Sequence, residues 1–321
     1  MKEIVVLLAT YNGQEYLREQ LDSLVQQTFK NFQIIVHDDG STDGTVEIID
    51  EYQEKYPEMM VQYFGEPLGS AKANFLWMLK QVQADYYFFC DQDDVWAPDK
   101  VERSLQEMYR LEEKNRANAL IEPQAACVFT DMRVVDKDLE EISSSFIRYI
   151  GRSPENIAYT QILIDNPAAG CTMCINRQLK NLVVDMLPFI ELDLIPMHDA
   201  LVLEVAAIMG HISCIDEPMV SYRQTGHNTM GAITEKDSDK ASRNISDLKE
   251  GSFFDKKKAF VYESRLFAAE VAKAGWMPVD KKNVLIRFAN IGQKSKLKRM
   301  RFYSKYNFTR AHHNFWFRLW V

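Results

Sequence analysis

Ile4 to Ala9 is an unbroken apolar run that turns polar at Thr10 and Asn12, as a strand buried on both faces and ended by a loop does. Leu17, Leu21, Leu24 and Val25 then recur at helical spacing, which predicts a helix after that loop. The unit repeats. Phe32 to Val36 is a strand, His37 to Asp43 a loop, and Val46, Ile49 and Tyr52 form the buried stripe of a second helix. Val61 to Phe64 reads as a third strand, Ala71 to Val82 as a helix with Phe75 and Leu79 inward, and Tyr86 to Cys90 as a strongly β-prone fourth strand. Such alternation predicts an α/β fold, a parallel sheet with helices on both faces.

Pro98 suits the first turn of a helix reaching about Asn115, and Ala125 to Thr130 reads as a strand ending at Asp131. Residues 140–165 carry no clear period. Cys171 to Ile175 predicts a strand, Gln178 to Met186 and His198 to Met209 predict helices, and Ile212 to Ile215 and Met219 to Tyr222 predict two short strands. From about Thr234 the chain is polar and charged before two or three further helices, with no internal repeat. One boundary near residues 230–245 follows, dividing an α/β domain (1–232) from a C-terminal helical region (233–321).

In open parallel sheets, ligands sit beyond the carboxyl ends of the strands. Thr10-Tyr11-Asn12, Asp38-Asp39-Gly40 and Asp91-Gln92-Asp93-Asp94 all fall on that edge. Asp91 and Asp93 at a strand end can hold a divalent cation, which neutralises a departing diphosphate while keeping positions for phosphate oxygens. Two other readings stand beside this. An Asp-rich helix start before Pro98 is favoured by the helix dipole. Asp91-Gln92-Asp93-Asp94-Val95 also fits the nucleophile loop of haloacid-dehalogenase-type phosphatases, where the first Asp attacks phosphorus. That loop usually ends the first strand of its fold, and here two strand-loop-helix units precede it.

The chain has 321 residues and 46% apolar content, enough for a large α/β domain with an appendage. Its five cysteines are an odd number set in apolar runs, which fits reduced thiols and a cytoplasmic setting better than a disulfide framework. Cys171 and Cys174 have a metal-like spacing but no second pair, so they read as buried strand thiols. No apolar run approaches the ~20 residues a spanning helix needs.

The ordered set Ala9-Thr10-Tyr11-Asn12-Gly13, Gln20 to Leu24 with Gln27-Thr28, and His37 to Thr45 resembles the inverting family-2 glycosyltransferases of GT-A fold. The resemblance continues through Gly69 to Asn74, Asp91 to Trp96, Gly170 to Asn176, Met197-His198-Asp199 and Tyr222-Arg223-Gln224, covering about residues 1–230. Its wording is most similar to bacterial rhamnosyltransferases of cell-surface polysaccharide synthesis. The resemblance implies that Thr10, Tyr11 and Asn12 line a nucleotide pocket and that Asp39 accepts the pyrimidine imide N–H. An Asx-type turn is the other reading of Asp39, open equally to Asp38, Ser41 or Asp43. Lys72 matches a basic position near the phosphates, or is a solvated helix lysine.

By the same resemblance, Mg²⁺ or Mn²⁺ is held chiefly by Asp93, with Asp91 near the metal or ribose, and Asp199 is the base that deprotonates the acceptor. A helix N-terminal Asp is the alternative for Asp199, and His198 reads as its support. Trp96 floors the sugar or acceptor site or is a core tryptophan, and Asp131 and His198 are further candidate sugar or acceptor contacts. Relatives often place a His directly after Tyr-Arg-Gln. Here Thr225 stands there and His227 follows, leaving its role open. The Gln-x-x-Arg-Trp signature of processive synthases is absent, so one sugar per encounter is expected.

The implied reaction takes a nucleotide-diphosphate sugar, dTDP-rhamnose by resemblance, to a lipid-linked glycan. A UDP-hexose transferase, the phosphatase and a nucleotide-sugar-binding protein without catalysis are the alternatives. Charge refines the placement. Residues 281–321 carry eleven Lys and Arg and no Asp or Glu, whereas the remaining 27 Lys and Arg face 46 Asp and Glu, a net −19 within an overall −8. The basic tail, interleaved with Phe, Tyr and Trp, predicts contact with an anionic membrane from the cytoplasmic side, a homodimer interface, or both. No nucleic-acid recognition motif accompanies it.

Overall fold

The computed structural model describes residues 3–118, 124–225, 252–312, 314 and 317. Its first half follows the predicted alternation: β1 (Ile4–Thr10), α1 (Leu17–Val25), β2 (Gln33–Asp38), α2 (Thr45–Lys55), β3 (Met60–Gln62), α3 (Ala71–Gln81) and β4 (Tyr86–Cys90). Then come β5 (Val95–Trp96), α4 (Lys100–Asn118), β6 (Ala125–Val135), β7 (Glu141–Ser143), α5 (Phe146–Tyr149) and α6 (Tyr159–Asp165). β8 (Met173–Asn176), α7 (Arg177–Met186), α8 (His198–Met209) and β9 (Gly210–Arg223) complete the sheet region, and α9 (Ser252–Val271), α10 (Val279–Asn290) and α11 (Lys296–Lys305) follow.

The strands form one sheet in the order β3-β2-β1-β4-β8-β6-β9-β5, with β7 pairing β6 off this path. β1 is parallel to both β2 and β4, and chain order reverses around it. That is the switch point beside which α/β sheets bind ligands. Alternate residues of β1 enter two different cores: Val5, Leu7 and Ala9 pack on one face, and Ile4, Val6 and Leu8 on the other. Burial on both sides is why this strand shows no alternation in sequence.

The second half departs from the expected parallel sheet. β8 runs antiparallel to both β4 and β6, so the sheet is mixed. The strand expected to stop at Asp131 continues to Val135, and the two short strands expected over 212–222 are one strand, β9, parallel to β6. A bulge joins the pieces of β9: Ile215 lies opposite Thr130 and Pro218 opposite Asp131, leaving Asp216 and Glu217 out of register. A proline, lacking an N–H, is tolerated at such a site, so Asp216-Glu217-Pro218 looks like a turn in sequence while the strand runs through. Residues 140–165, unreadable by period, hold β7 and two short helices.

The boundary expected near residues 230–245 lies outside the described residues. The helices beyond it share a core with the sheet: Phe267, Val271, Leu285, Phe288, Tyr303 and Phe308 belong to the same buried cluster as Leu7, Phe75 and Phe89. Among the described residues no helix is long and apolar enough to cross a membrane.

Candidate functional site

The parallel register aligns the carboxyl ends of β1 and β2, with Thr10 opposite Asp38 and its hydroxyl donating to the Asp38 carboxylate at 2.8 Å. Asp38 also accepts from the amides of Gly40 and Ser41 and from the Ser41 hydroxyl, and Asp43 accepts from the amide and hydroxyl of Thr45 at the start of α2. These two residues do the turn-forming work that was the alternative reading of Asp39. Asp39 instead takes one hydrogen bond from the Leu68 amide, and its other oxygen has no protein partner among the described residues. Asn12 sits at φ 46, its side-chain oxygen accepting from the Thr42 amide at 2.8 Å. Tyr11 is 57% exposed on the rim.

The β4 loop is fastened to the β1 loop by Gln92, whose side-chain oxygen accepts from the Tyr11 amide (2.8 Å) and whose nitrogen donates to the Tyr11 carbonyl (2.9 Å). Gly13 lies against that carboxamide, and a Cβ there would collide with it. The loop's carboxylates are crowded. Burial, then Asp93 and Asp199, push Asp91 up to about 7. Burial raises Asp93 as well, against the pull of its own amide and of Arg223. Asp94 is fully buried, held well above the ordinary carboxylate range by burial and then by Asp93 and Asp91. One Asp94 oxygen accepts from the Arg223 amide at 3.1 Å and the other has no hydrogen-bond partner. The Arg223 guanidinium, also buried, bonds the Asp93 and Lys137 carbonyls and pairs with Glu19.

Among the described residues, ligand atoms of Asp91, Asp94 and Cys171 lie within 4.8 Å of one another. This grouping differs from the expected pair of Asp93 and Asp91. Burial pushes the Cys171 thiol well up, so it stays protonated beside the two carboxylates. The oxygen-rich set, its mutual repulsion and the unpaired Asp94 oxygen fit a hard divalent cation such as Mg²⁺ or Mn²⁺. Asp94 is enclosed and already bonded to Arg223, whereas Asp93 and Asp91 are half-buried at the rim, where an ion keeps positions for diphosphate oxygens.

Asp199, on the first turn of α8, lies near enough to the end of β4 that its charge raises Asp91. It accepts from the Gly170 amide at 3.0 Å. Burial raises it to about 6, opposed by the Gly170 and Ala200 amides and by Arg152. The arrangement therefore joins a cluster suited to a cation and a diphosphate to a carboxylate poised to titrate just below neutrality.

Four expectations are redirected. His198 does not support Asp199: its ring is packed 4.3 Å from Phe75 and 5.1 Å from Phe89, its nitrogens have no hydrogen-bond partner, and burial drives it down to about 3. Trp96 is a buried core residue with the Lys100 ammonium 3.6 Å from its ring centre, so that face cannot stack on a sugar. Asp131 is buried and accepts from the Ser145 hydroxyl and the Met132 and Ile147 amides, a β-bulge anchor rather than a sugar contact. Lys72 donates to the carbonyls of Leu192 and Ile195, fastening the segment before Asp199 instead of facing the rim. His227 lies outside the described residues. Gln92, Arg152, Cys171 and Arg223 are site neighbours to which the sequence reading gave no role. Arg223, Gln92 and Cys171 carried a signal as members of the motifs Tyr222-Arg223-Gln224, Asp91 to Trp96 and Gly170 to Asn176, and Arg152 carried none.

Residues 5–115 match the model of the family described as Glycosyl transferase family 2. The dTDP-rhamnosyl transferase RfbG of Shigella flexneri is 29% identical over 242 residues, 70% of this chain and 74% of that protein. The putative teichuronic acid biosynthesis glycosyltransferase TuaG of Bacillus subtilis is 30% identical over 176 residues, 54% of this chain and 62% of that protein. In structure, S. aureus TarS 1–349 in complex with UDP-GlcNAc aligns with a TM-score of 0.52 at 19% identity, covering 97% of this chain and 81% of that one, which is a likeness of fold. The phosphatase alternative falls with these matches. Residues 5–115 of the chain match the family-2 glycosyltransferase model, and the chain has an α/β, GT-A-like fold with additional C-terminal helices.

Proposed function

We propose that this chain transfers L-rhamnose from dTDP-rhamnose, with inversion, to a lipid-linked glycan in cell-surface polysaccharide synthesis. The observation that carries the reading is the meeting of two chain segments: the acidic end of β4 and Asp199 at the head of α8, close enough that Asp91 is raised by Asp199 as well as by Asp93. The likeness to the dTDP-rhamnosyl transferase supports the choice of donor.

In this reading Thr10, Tyr11 and Asn12 line the nucleotide pocket, and the unpaired oxygen of Asp39 accepts the imide N–H of thymine. Asp93 and Asp91 hold the Mg²⁺ or Mn²⁺. When bound, the ion supplies Lewis-acid neutralisation of the leaving diphosphate. Asp199 takes the proton of the acceptor hydroxyl as its oxygen bonds to C1 on the face opposite the leaving group. The C1–O bond to phosphate breaks, and the nucleoside diphosphate carries away the electron pair. Gly170 holds Asp199 through its amide, and no larger residue fits there, because a Cβ would strike the His198 ring.

A donor panel with a lipid-linked acceptor, read by nucleotide release with and without chelator, tests the reading. dTDP-rhamnose is expected to turn over at least ~10-fold faster than UDP-hexoses, and chelation to abolish turnover until Mg²⁺ or Mn²⁺ is restored. Preference for a UDP-hexose overturns the donor assignment, and undiminished turnover in chelator overturns the metal.

The acceptor's lipid anchor requires the protein to meet a membrane. α10 and α11 present Arg287, Lys296, Lys298, Arg301 and Lys305 on the surface together with exposed Ile286 and Leu297, a pattern suited to anionic headgroups on the cytoplasmic face.

A further inference from the structure

β1 and β4 pair in parallel only as far as Leu8 opposite Cys90, so the loops that follow them lie side by side past the end of the backbone ladder. Each loop is braced on its far side. The Asn12 amide donates to the Ser41 hydroxyl and the Gly13 amide to the Thr45 hydroxyl, both at 2.8 Å, tying the β1 loop to the segment after β2 that begins with Asp39. The Asp93 carbonyl accepts from Arg223 Nε at 2.9 Å and an Asp94 oxygen from the Arg223 amide at 3.1 Å, tying the acids to the end of β9. The rim is built as two halves, one with the candidate nucleoside contacts and one with the candidate ion ligands.

Gln92 joins them. Its side-chain oxygen accepts from the Tyr11 amide at 2.8 Å and its nitrogen donates to the Tyr11 carbonyl at 2.9 Å. The carboxamide thus supplies Tyr11 with the donor and acceptor that a neighbouring strand would otherwise present; a carboxylate there could not donate and an ammonium could not accept. Among the described residues no other hydrogen bond joins residues 10–16 to residues 91–94. Gly13 leaves the room for this contact. A Cβ there would stand 2.5 Å from Gln92 Cδ and 3.0 Å from Nε2 and would strike Oε1. Gly13 is not among the glycines of positive φ, so the carboxamide, not the backbone conformation, excludes a side chain.

We propose that Gln92 is a positioning residue that sets the span between the nucleoside pocket and the acids holding the ion, so that a nucleoside diphosphate is gripped at both ends at once. This rests on Asp93 and Asp91 holding the ion in the proposed function. Two contact points on one ligand reinforce each other only when the protein holds them at the ligand's own separation, and an error of ~1 Å can cost about 10²-fold. With each half braced on its far side, the Gln92 carboxamide is the tie that fixes this separation at the tips of the loops.

Calorimetric titration of the full chain with dTDP, and with UDP in parallel, in chelator and in Mn²⁺, tests the proposal. The unmodified chain should bind nucleotide at least ~10-fold more tightly with Mn²⁺ than in chelator. Gln92→Ala should keep its affinity in chelator within a few-fold and lose most of the Mn²⁺ gain, about 10-fold, as expected for two hydrogen bonds. Gly13→Ala should do the same by displacing the carboxamide. The double variant Gly13→Ala with Gln92→Ala should lose no more than either single one, because the collision is gone. A Tm within a few degrees of the unmodified chain checks the fold of each. Retention of the Mn²⁺ gain in Gln92→Ala, an equal loss in chelator, or losses that multiply in the double variant overturns the proposal. If the unmodified chain gains nothing from Mn²⁺ with either nucleotide, the assignment of the ion fails instead, so the two failures are distinguishable.

Discussion

As the proposed base, Asp199 has to be ionised to accept a proton, and its surroundings pull it in both directions. Burial favours the neutral acid, while the Gly170 and Ala200 amides and Arg152 favour the carboxylate, leaving it at about 6. A base with a raised pKa is competent above that value and is lost as pH falls through it. The pH profile of kcat/KM should therefore be flat or rising above about 6 and drop by about tenfold per unit well below it. An acid limb lying near 4, where an unperturbed Asp titrates, would mean that Asp199 is not buried as described or is not the base. His198 shows the opposite outcome at the neighbouring position. Its sequence context offered it as a partner for the base, yet with Phe75 and Phe89 on it and no polar partner it behaves as an aromatic core residue.

Among the elements, the strands that end at the site are held by close backbone approach as much as by side chains. β9 starts at Gly210, opposite Ala125 of β6, and a Cβ at Gly210 would land on the Ala125 carbonyl oxygen. Gly210→Ala is expected to destabilise the fold by about 2–4 kcal/mol, because strand pairing must open to admit one methyl group. Denaturant unfolding measures it, and a change under ~0.5 kcal/mol would show that β6 and β9 are not paired this closely. The same elements mark the limit of legibility in sequence. β1, β2, β4 and their helices were readable because each strand is a continuous apolar run closed by a polar loop, and those loops carry Thr10 to Asn12, Asp38-Asp39 and Asp91 to Asp94. The direction of β8 was not readable, since a four-residue apolar strand looks the same either way along the sheet. β9 was split at Pro218 because a bulge and a turn share their residue types. Arg152 was missed for a related reason. Its loop has no period, and it comes beside Asp165 and near Asp199 only after folding.

Across the whole molecule, an acidic catalytic body carries a basic surface on α10 and α11, helices that also complete its core. Deleting them would expose apolar surface, so charge reversal is the sound probe of membrane contact. Lys294→Glu with Lys298→Glu and Arg301→Glu, all exposed positions, should cut co-sedimentation with anionic vesicles at least ~10-fold at low salt and leave Tm within a few degrees. Unchanged sedimentation would assign these helices to packing alone. The meeting of the β4 acids with Asp199 depends on the elements between them, from β5 to α7, being folded around the sheet edge. Single-turnover transfer from dTDP-rhamnose by Asp199→Asn, with donor affinity measured in parallel, is the most direct test of that arrangement. Asp199→Asn should bind the donor within a few-fold of the unmodified chain and lose about 10²–10⁴-fold in rate, the usual contribution of a general base. Transfer within tenfold of the unmodified rate would contradict it.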